Sequence, residues 1–145
     1  MTPLERRVRA LVYRSLLDTT RAPDPDALAT AIGVSAADVD AALRRLAEQH
    51  LLVLMPGATA IWMAHPFSAV PTPFPVAVGD RTYYANCAWD AAGVLSIAGD
   101  GACAAACGDC GADLSFAVSR NRISGSGVVH FAVPARRFWD DIAFT

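Results

Sequence analysis

Two residues three positions apart carry the most pointed chemistry in the sequence: Cys87 and Asp90, within R-T-Y-Y-A-N-C-A-W-D from Arg81 to Asp90. A thiol is a soft nucleophile, and a carboxylate can hold and deliver a proton. Thr82, Tyr83 and Tyr84 are β-formers that follow a Gly79-Asp80 turn, so the run opens as a strand. Ala88 to Ala98 is apolar and alanine-rich with a single glycine, which suits a helix. A helix beginning near Cys87 puts positions 87 and 90 on the same face, about one turn apart. The positive end of the helix dipole then favours the thiolate form of Cys87, with a proton carrier beside it. Free cysteine is also commonly a small buried hydrophobe. Against that plainer role stand the strand-to-helix junction and the carboxylate three residues on.

The other cysteines, Cys103, Cys107 and Cys110, fall in C-A-A-A-C-G-D-C-G. Cys107 and Cys110 make one C-x-x-C pair, half of a zinc-knuckle pattern. Cys103 as third ligand and His130 as fourth would complete a zinc site. The alternative is a turn that carries small, half-buried cysteines. His65 has the chemistry of a metal ligand or a general base, but it precedes a proline and has no second partner at ligand spacing, so the surface or packing role is the expected one.

At 145 residues the chain is long enough for one ordinary domain or two very small ones. With 54% hydrophobic and 18% charged residues it can bury a core, and wholesale disorder is not expected. All 12 basic residues are arginine, and the formal net charge is −2. That charge argues against nucleic acid or an acidic membrane as a partner. Neither a secretory signal nor an apolar run of the ~18 residues that span a bilayer is visible. A cytoplasmic location is therefore expected, where cysteines more often react or bind metal than form structural disulfides.

Leu4, Val8, Leu11, Val12 and Leu16 follow helical spacing. A break at Ala22-Pro23-Asp24-Pro25 precedes a short helix from Asp26 to Ile32, which Gly33 ends. Ser35 caps a third helix running to about His50, with Val39, Leu43 and Leu46 as its buried stripe. Strands follow at Leu51 to Leu54 and Ile61 to Met63 around a Pro56-Gly57 turn. Three helices and a hairpin make a winged helix-turn-helix layout over residues 1–63. Residues 1–60 hold seven arginines and seven acids, which is the wrong balance for a phosphate-facing surface. A structural or dimerisation role is expected there. Residues 64–75, A-H-P-F-S-A-V-P-T-P-F-P, form an extended proline-rich strap held down by Phe67 and Phe74. In residues 76–145 a hairpin enters the Cys87 helix. Strands are then expected over Leu114 to Ser119 and Val128 to Val133, with a short helix after Pro134. Strands in runs with helices appended indicate an α+β fold.

N-C-A-W-D at 86–90, preceded by R-T-Y-Y-A, resembles the active-site segment of the organomercurial (alkylmercury) lyases. M-A-H-P-F-S-A-V-P-T-P-F at 63–74 is similar to that family's strap. Cys107 with Gly111 is similar to a later cysteine–glycine pair, and F-W-D-D-I-A-F-T at 138–145 to the start of its last motif. The resemblance implies a winged-helix-like N-terminal domain and a small mixed α/β core. It also implies protonolysis of a carbon–mercury bond, giving a hydrocarbon and Hg(II), with no cofactor required. Cys87 matches the family's first mercury-binding cysteine. Asp90 matches the carboxylate thought to relay protons and help hold the product ion, and Cys107 matches a structural position. The family's second catalytic cysteine would follow Ala143-Phe144-Thr145, beyond the last residue given.

The implied partners are an organomercurial substrate, low-molecular-weight thiols and a mercuric reductase as Hg(II) acceptor. Two alternatives belong to other classes. One is a non-catalytic thiol protein that binds mercury or another soft metal through Cys87 with Cys103, Cys107 and Cys110. The other is a metal-responsive winged-helix regulator.

Overall fold

The computed structural model describes residues 1–143; the end of the last motif, Phe144 and Thr145, lies outside the described residues. Three helices come first: α1 (Pro3–Thr19), α2 (Pro25–Ile32) and α3 (Ala36–Glu48). Each has a side-chain N-cap. Thr2 and Glu5 form a capping box on α1, Asp24 caps α2, and Ser35 accepts the Asp38 N–H of α3. Pro25 serves as the first residue of α2, so that helix starts one residue earlier than the sequence suggested. Val8, Val12 and Leu16 of α1 meet Val39, Leu43 and Leu46 of α3 in the core.

Among the described residues, eight short strands form one antiparallel sheet in the order β1-β2-β3-β5-β4-β6-β7-β8. They are β1 (Val53–Leu54), β2 (Ile61–Ala64), β3 (Phe67–Ser68), β4 (Pro75–Val78), β5 (Arg81–Ala85), β6 (Gly101–Cys103), β7 (Phe116–Ser119) and β8 (Arg122–Ser124). Helix α4 (Ala88–Ala98) packs against β4, β5 and β6 through Ala91, Val94 and Leu95. A 3₁₀ helix, Ala135–Asp140, follows Pro134. Among the described residues no helix is long and apolar enough to cross a membrane.

The strap differs from an extended path. Phe67 and Ser68 form β3 between β2 and β5, with Ala64 paired to Phe67 and Phe67 to Ala85. His65-Pro66 is the tight turn between β2 and β3, which sets His65 beside the end of β5. Helix α1 braces this turn: the Tyr13 hydroxyl donates to the His65 carbonyl at 2.8 Å, and its ring meets Phe67 edge-on.

The strand expected over Val128 to Val133 does not form. Arg120 and Asn121 take positive φ, and the Arg120 N–H is held by Asp100 at 2.9 Å. The chain therefore reverses early, and Arg122–Ser124 takes the sheet edge against β7. Gly125 and Gly127, at φ 137° and 133°, then lead residues 128–133 away from the sheet. Gly101 marks a close approach elsewhere: a Cβ there would lie 2.1 Å from the Ala77 carbonyl oxygen, so β6 can pair with β4 only as glycine.

Glu5 is a buried carboxylate, 2% exposed, that joins α1 to α3. It accepts from Arg45 Nε at 2.6 Å and from the Thr2 N–H at 2.8 Å. Chiefly the Arg45 hydrogen bond, and then the Thr2 N–H, lower its pKa from 4.5 to about 2. A depressed folded-state pKa contributes stability that is present above 4.5 and lost as pH falls toward 2. Urea midpoints followed across that window should fall with acid for the native chain. Glu5→Gln should be less stable at neutral pH and should show a flatter profile.

Candidate active site

Cys87 ends the turn from β5 and is the N-cap of α4, where its Sγ accepts the Asp90 N–H at 3.4 Å. Positions 87 and 90 thus share the first turn. The helix N-terminus does not, however, make this thiol acidic. Burial pushes the Cys87 thiol above its ordinary value, and the nearby Asp90 charge adds to the rise. The N–H groups of Asp90 and Trp89 pull in the opposite direction without overcoming them. Cys87 therefore rests as a thiol rather than a thiolate near neutral pH.

The Asp90 carboxylate is gripped from two elements. Asn86 Nδ2, at the start of the turn, donates to Oδ2 at 2.9 Å, and His65 Nδ1, from the β2–β3 turn, lies 3.2 Å from the same oxygen. Asn86 Nδ2 also lies 3.3 Å from the Pro66 carbonyl. One assignment uses these contacts consistently: Asn86 gives one N–H to Asp90 and one to Pro66, and His65 Nδ1–H donates to Asp90. Helix α4 can come this close because position 93 is glycine; a Cβ there would be 3.0 Å from Pro66 Cβ.

His65, expected as a surface or packing residue, is thus part of the site, and so is Asn86, which the sequence did not single out. The contact from His65 to Asp90 spans 25 positions and depends on β3, so no local spacing announces it. Asn86 adjoins Cys87 and could have been singled out on that ground.

Cys87 and Asp90 line different hollows. A cavity of about 480 Å³ is bounded by Cys87, Phe74, Cys107, His130, Phe131 and Phe138. A cleft of similar size is lined by Asp90, His65, Pro66, Trp89 and Gly93. A third hollow of about 640 Å³ is lined by Trp89, Phe131 and Phe138 and so shares residues with both. The rim is apolar and open: Trp89 is 61% exposed and meets Phe131 edge-on. Trp139 stacks on His50 at 4.1 Å and meets His65 in a T-shaped contact, which ties the 3₁₀ helix to the same region.

The three later cysteines separate. Cys103 is fully buried in β6, facing Val76 and Phe116 across the sheet, and burial raises its thiol. Cys107 and Cys110 stand together on one turn. The N–H groups of Cys110 and Asp109 and the Cys110 thiol hydrogen-bond Cys107 Sγ and lower its pKa. Among the described residues no group of three or more His, Cys, Asp and Glu side chains is placed to hold a metal ion. The four-ligand zinc arrangement of Cys103, Cys107, Cys110 and His130 is therefore not formed. The reason is that β6 turns Cys103 into the core.

Comparison with known proteins bears directly on this site. The alkylmercury lyase family model matches residues 67–145, a span that contains Cys87, Asp90, Cys107 and Cys110. No curated protein matches the chain. Among solved structures, the crystal structure of the mercury-bound form of MerB2 has the same fold, with a TM-score of 0.66 and 18% identity. The likeness covers 86% of this chain and 59% of that one, so the chain spans well under two thirds of that protein's length. With more than half of its residues matched by the family model, the chain belongs to the alkylmercury lyase family.

Proposed function

We propose that the chain cleaves carbon–mercury bonds by protonolysis, with Cys87 carrying the organomercurial and Asp90 delivering the proton. The observation that carries this reading is the first turn of α4, where thiol and carboxylate sit together with the carboxylate held by Asn86 and His65. Mercury is soft and thiophilic, so sulfur outcompetes oxygen and nitrogen donors. The thiol loses its proton as sulfur bonds to R–Hg, which is the usual linkage of metal binding to proton release. In the proposed cycle that proton passes to solvent, and Asp90, held by Asn86 and His65, takes up a proton once the Cys87 sulfur is bound to mercury. The carbon–mercury bonding pair then accepts a proton from Asp90, R–H leaves, and Hg(II) stays on sulfur. A low-molecular-weight thiolate fills the second position on mercury, and a mercuric reductase is the expected downstream acceptor. The apolar rim of Trp89 and Phe131 suits the organic group R.

Residues 1–63 support a winged-helix-like unit, with three helices followed by the antiparallel β1–β2 pair. We read it as structural, with 64–75 as the strap and 76–145 as the lyase-like part. Both arginines of α3 are paired, Arg44 to Asp40 at 3.0 Å and Arg45 to Glu5 at 2.6 Å, which leaves that helix poorly equipped for phosphates.

A second reading, mercury binding without turnover, is favoured by one observation: Cys87 shares its cavity with Cys107, while Asp90 lines the neighbouring cleft. Incubation with phenylmercuric acetate and excess cysteine separates the two. Benzene release above a protein-free control is expected. Stoichiometric mercury retention without benzene would replace the lyase reading with the binding one.

A further inference from the structure

The pair Cys107 and Cys110 lies outside the Cys87–Asp90 machinery, yet the fold builds it with care. The Cys107 N–H bonds the Ala112 carbonyl at 2.8 Å, the Gly111 N–H bonds the Cys107 carbonyl at 2.9 Å, and Ala106 bridges Asp113. Gly111, at φ 72°, closes the turn. This small loop is pinned at its base, so the two thiols are presented together. They stand three positions apart on the one turn that the Gly111 N–H closes onto the Cys107 carbonyl. Cys107 is half-buried and faces the cavity that Cys87 lines, whereas Cys110 is exposed to solvent.

We propose that Cys107 and Cys110 form a two-thiol acceptor that takes Hg(II) from Cys87 across their shared cavity and presents it at the surface. Two sulfurs suffice for Hg(II), which favours two-coordinate thiolate ligation, whereas zinc asks for four ligands. The exchange balances. Cys87–S–Hg–X, with X a low-molecular-weight thiolate, is attacked by the Cys107 thiolate; the Cys107 S–Hg bond forms and the Hg–S bond to Cys87 breaks. Cys110 then loses its proton to solvent and bonds mercury as X leaves as a thiolate. Cys87 is returned as a thiolate, ready for reprotonation. The second sulfur binds intramolecularly, so the pair should hold mercury about a hundredfold or more tighter than one thiol does.

The proposal rests on Cys87 as the mercury-carrying thiol, but its test needs no carbon–mercury cleavage. The whole chain is loaded with one equivalent of mercuric chloride in excess free cysteine, treated with iodoacetamide and mapped by mass spectrometry. Cys107 and Cys110 should be protected and Cys87 alkylated. In Cys110→Ser the protection should move to Cys87, and the free cysteine needed to strip half the mercury should fall about a hundredfold. Cys87→Ser should still retain one mercury per chain. Protection of Cys87 with alkylation of both Cys107 and Cys110 in the native chain would overturn the proposal. So would unchanged retention in Cys110→Ser. If benzene release fails while this footprint holds, the lyase reading falls and the acceptor stands.

Discussion

Cys87→Ser is expected to reduce benzene release from phenylmercuric acetate to the level of free cysteine alone. A serine hydroxyl keeps the cap geometry of α4, since it can accept the Asp90 N–H that Sγ accepts at 3.4 Å. It removes the only atom in that turn with affinity for a soft metal, so a loss of activity would be chemical rather than structural. An unchanged urea midpoint alongside the loss is the control. Turnover equal to the native chain would end the assignment. The resting thiol adds a pH signature. Because burial, with the Asp90 charge, holds the Cys87 pKa above its ordinary value, thiolate is scarce at neutral pH and rises as pH rises. Uptake of phenylmercury, followed by stopped-flow in the absence of competing thiol, should therefore accelerate from pH 6 through pH 8, by about tenfold per unit where thiolate is the reacting form. A flat profile would mean that some other group receives the metal.

What the residue pattern announced, and what it concealed, divides by the range of the interactions involved. The Ser35 cap of α3 and the start of α4 at Cys87 are decided within a few positions by side chains that reach their own backbone. They were readable for that reason. Strand β3 was not, because Phe67 and Ser68 pair with Ala85 and Tyr84, which lie far along the chain. A proline-rich sequence gives no local sign of that pairing. The edge strand was misplaced for a similar reason: valines at 128, 129 and 133 have strong β propensity, but the Arg120-Asn121 reversal, anchored on Asp100, had already filled the edge with Arg122–Ser124.

The state of Cys87 shows the same limit in energetic form. A helix N-terminus can be recognised from sequence, whereas the burial that outweighs it depends on the packed site. His65 became part of the site only through the β2–β3 turn, and Cys107 lines a cavity with Cys87 that residues 128–133 and Phe138 help to enclose.

Asp90→Ala should act in opposite directions on the two steps of the proposed reaction. The bond from residue 90 to Cys87 Sγ comes from the backbone N–H, so the variant retains it. The carboxylate charge, which helps to hold the Cys87 proton on, is removed. Mercury uptake near neutral pH should therefore be as fast as in the native chain, or faster. Burial remains the larger cause of the raised thiol, which keeps the gain modest. Proton delivery to carbon should be slowed by about 10²- to 10⁴-fold, the usual cost of losing a positioned general acid. Single-turnover measurements resolve the two steps: alkylation of Cys87 reports loading, and headspace analysis reports benzene. A chain that loads promptly and releases slowly fits the assigned role. Asp90→Asn should behave alike, since an amide cannot exchange the proton even though it preserves the shape that Asn86 and His65 hold. If both variants load slowly and release at the native rate once loaded, Asp90 serves binding rather than proton transfer. The proton would then have to come from elsewhere, and His65, 3.2 Å from the carboxylate, is the first group to test.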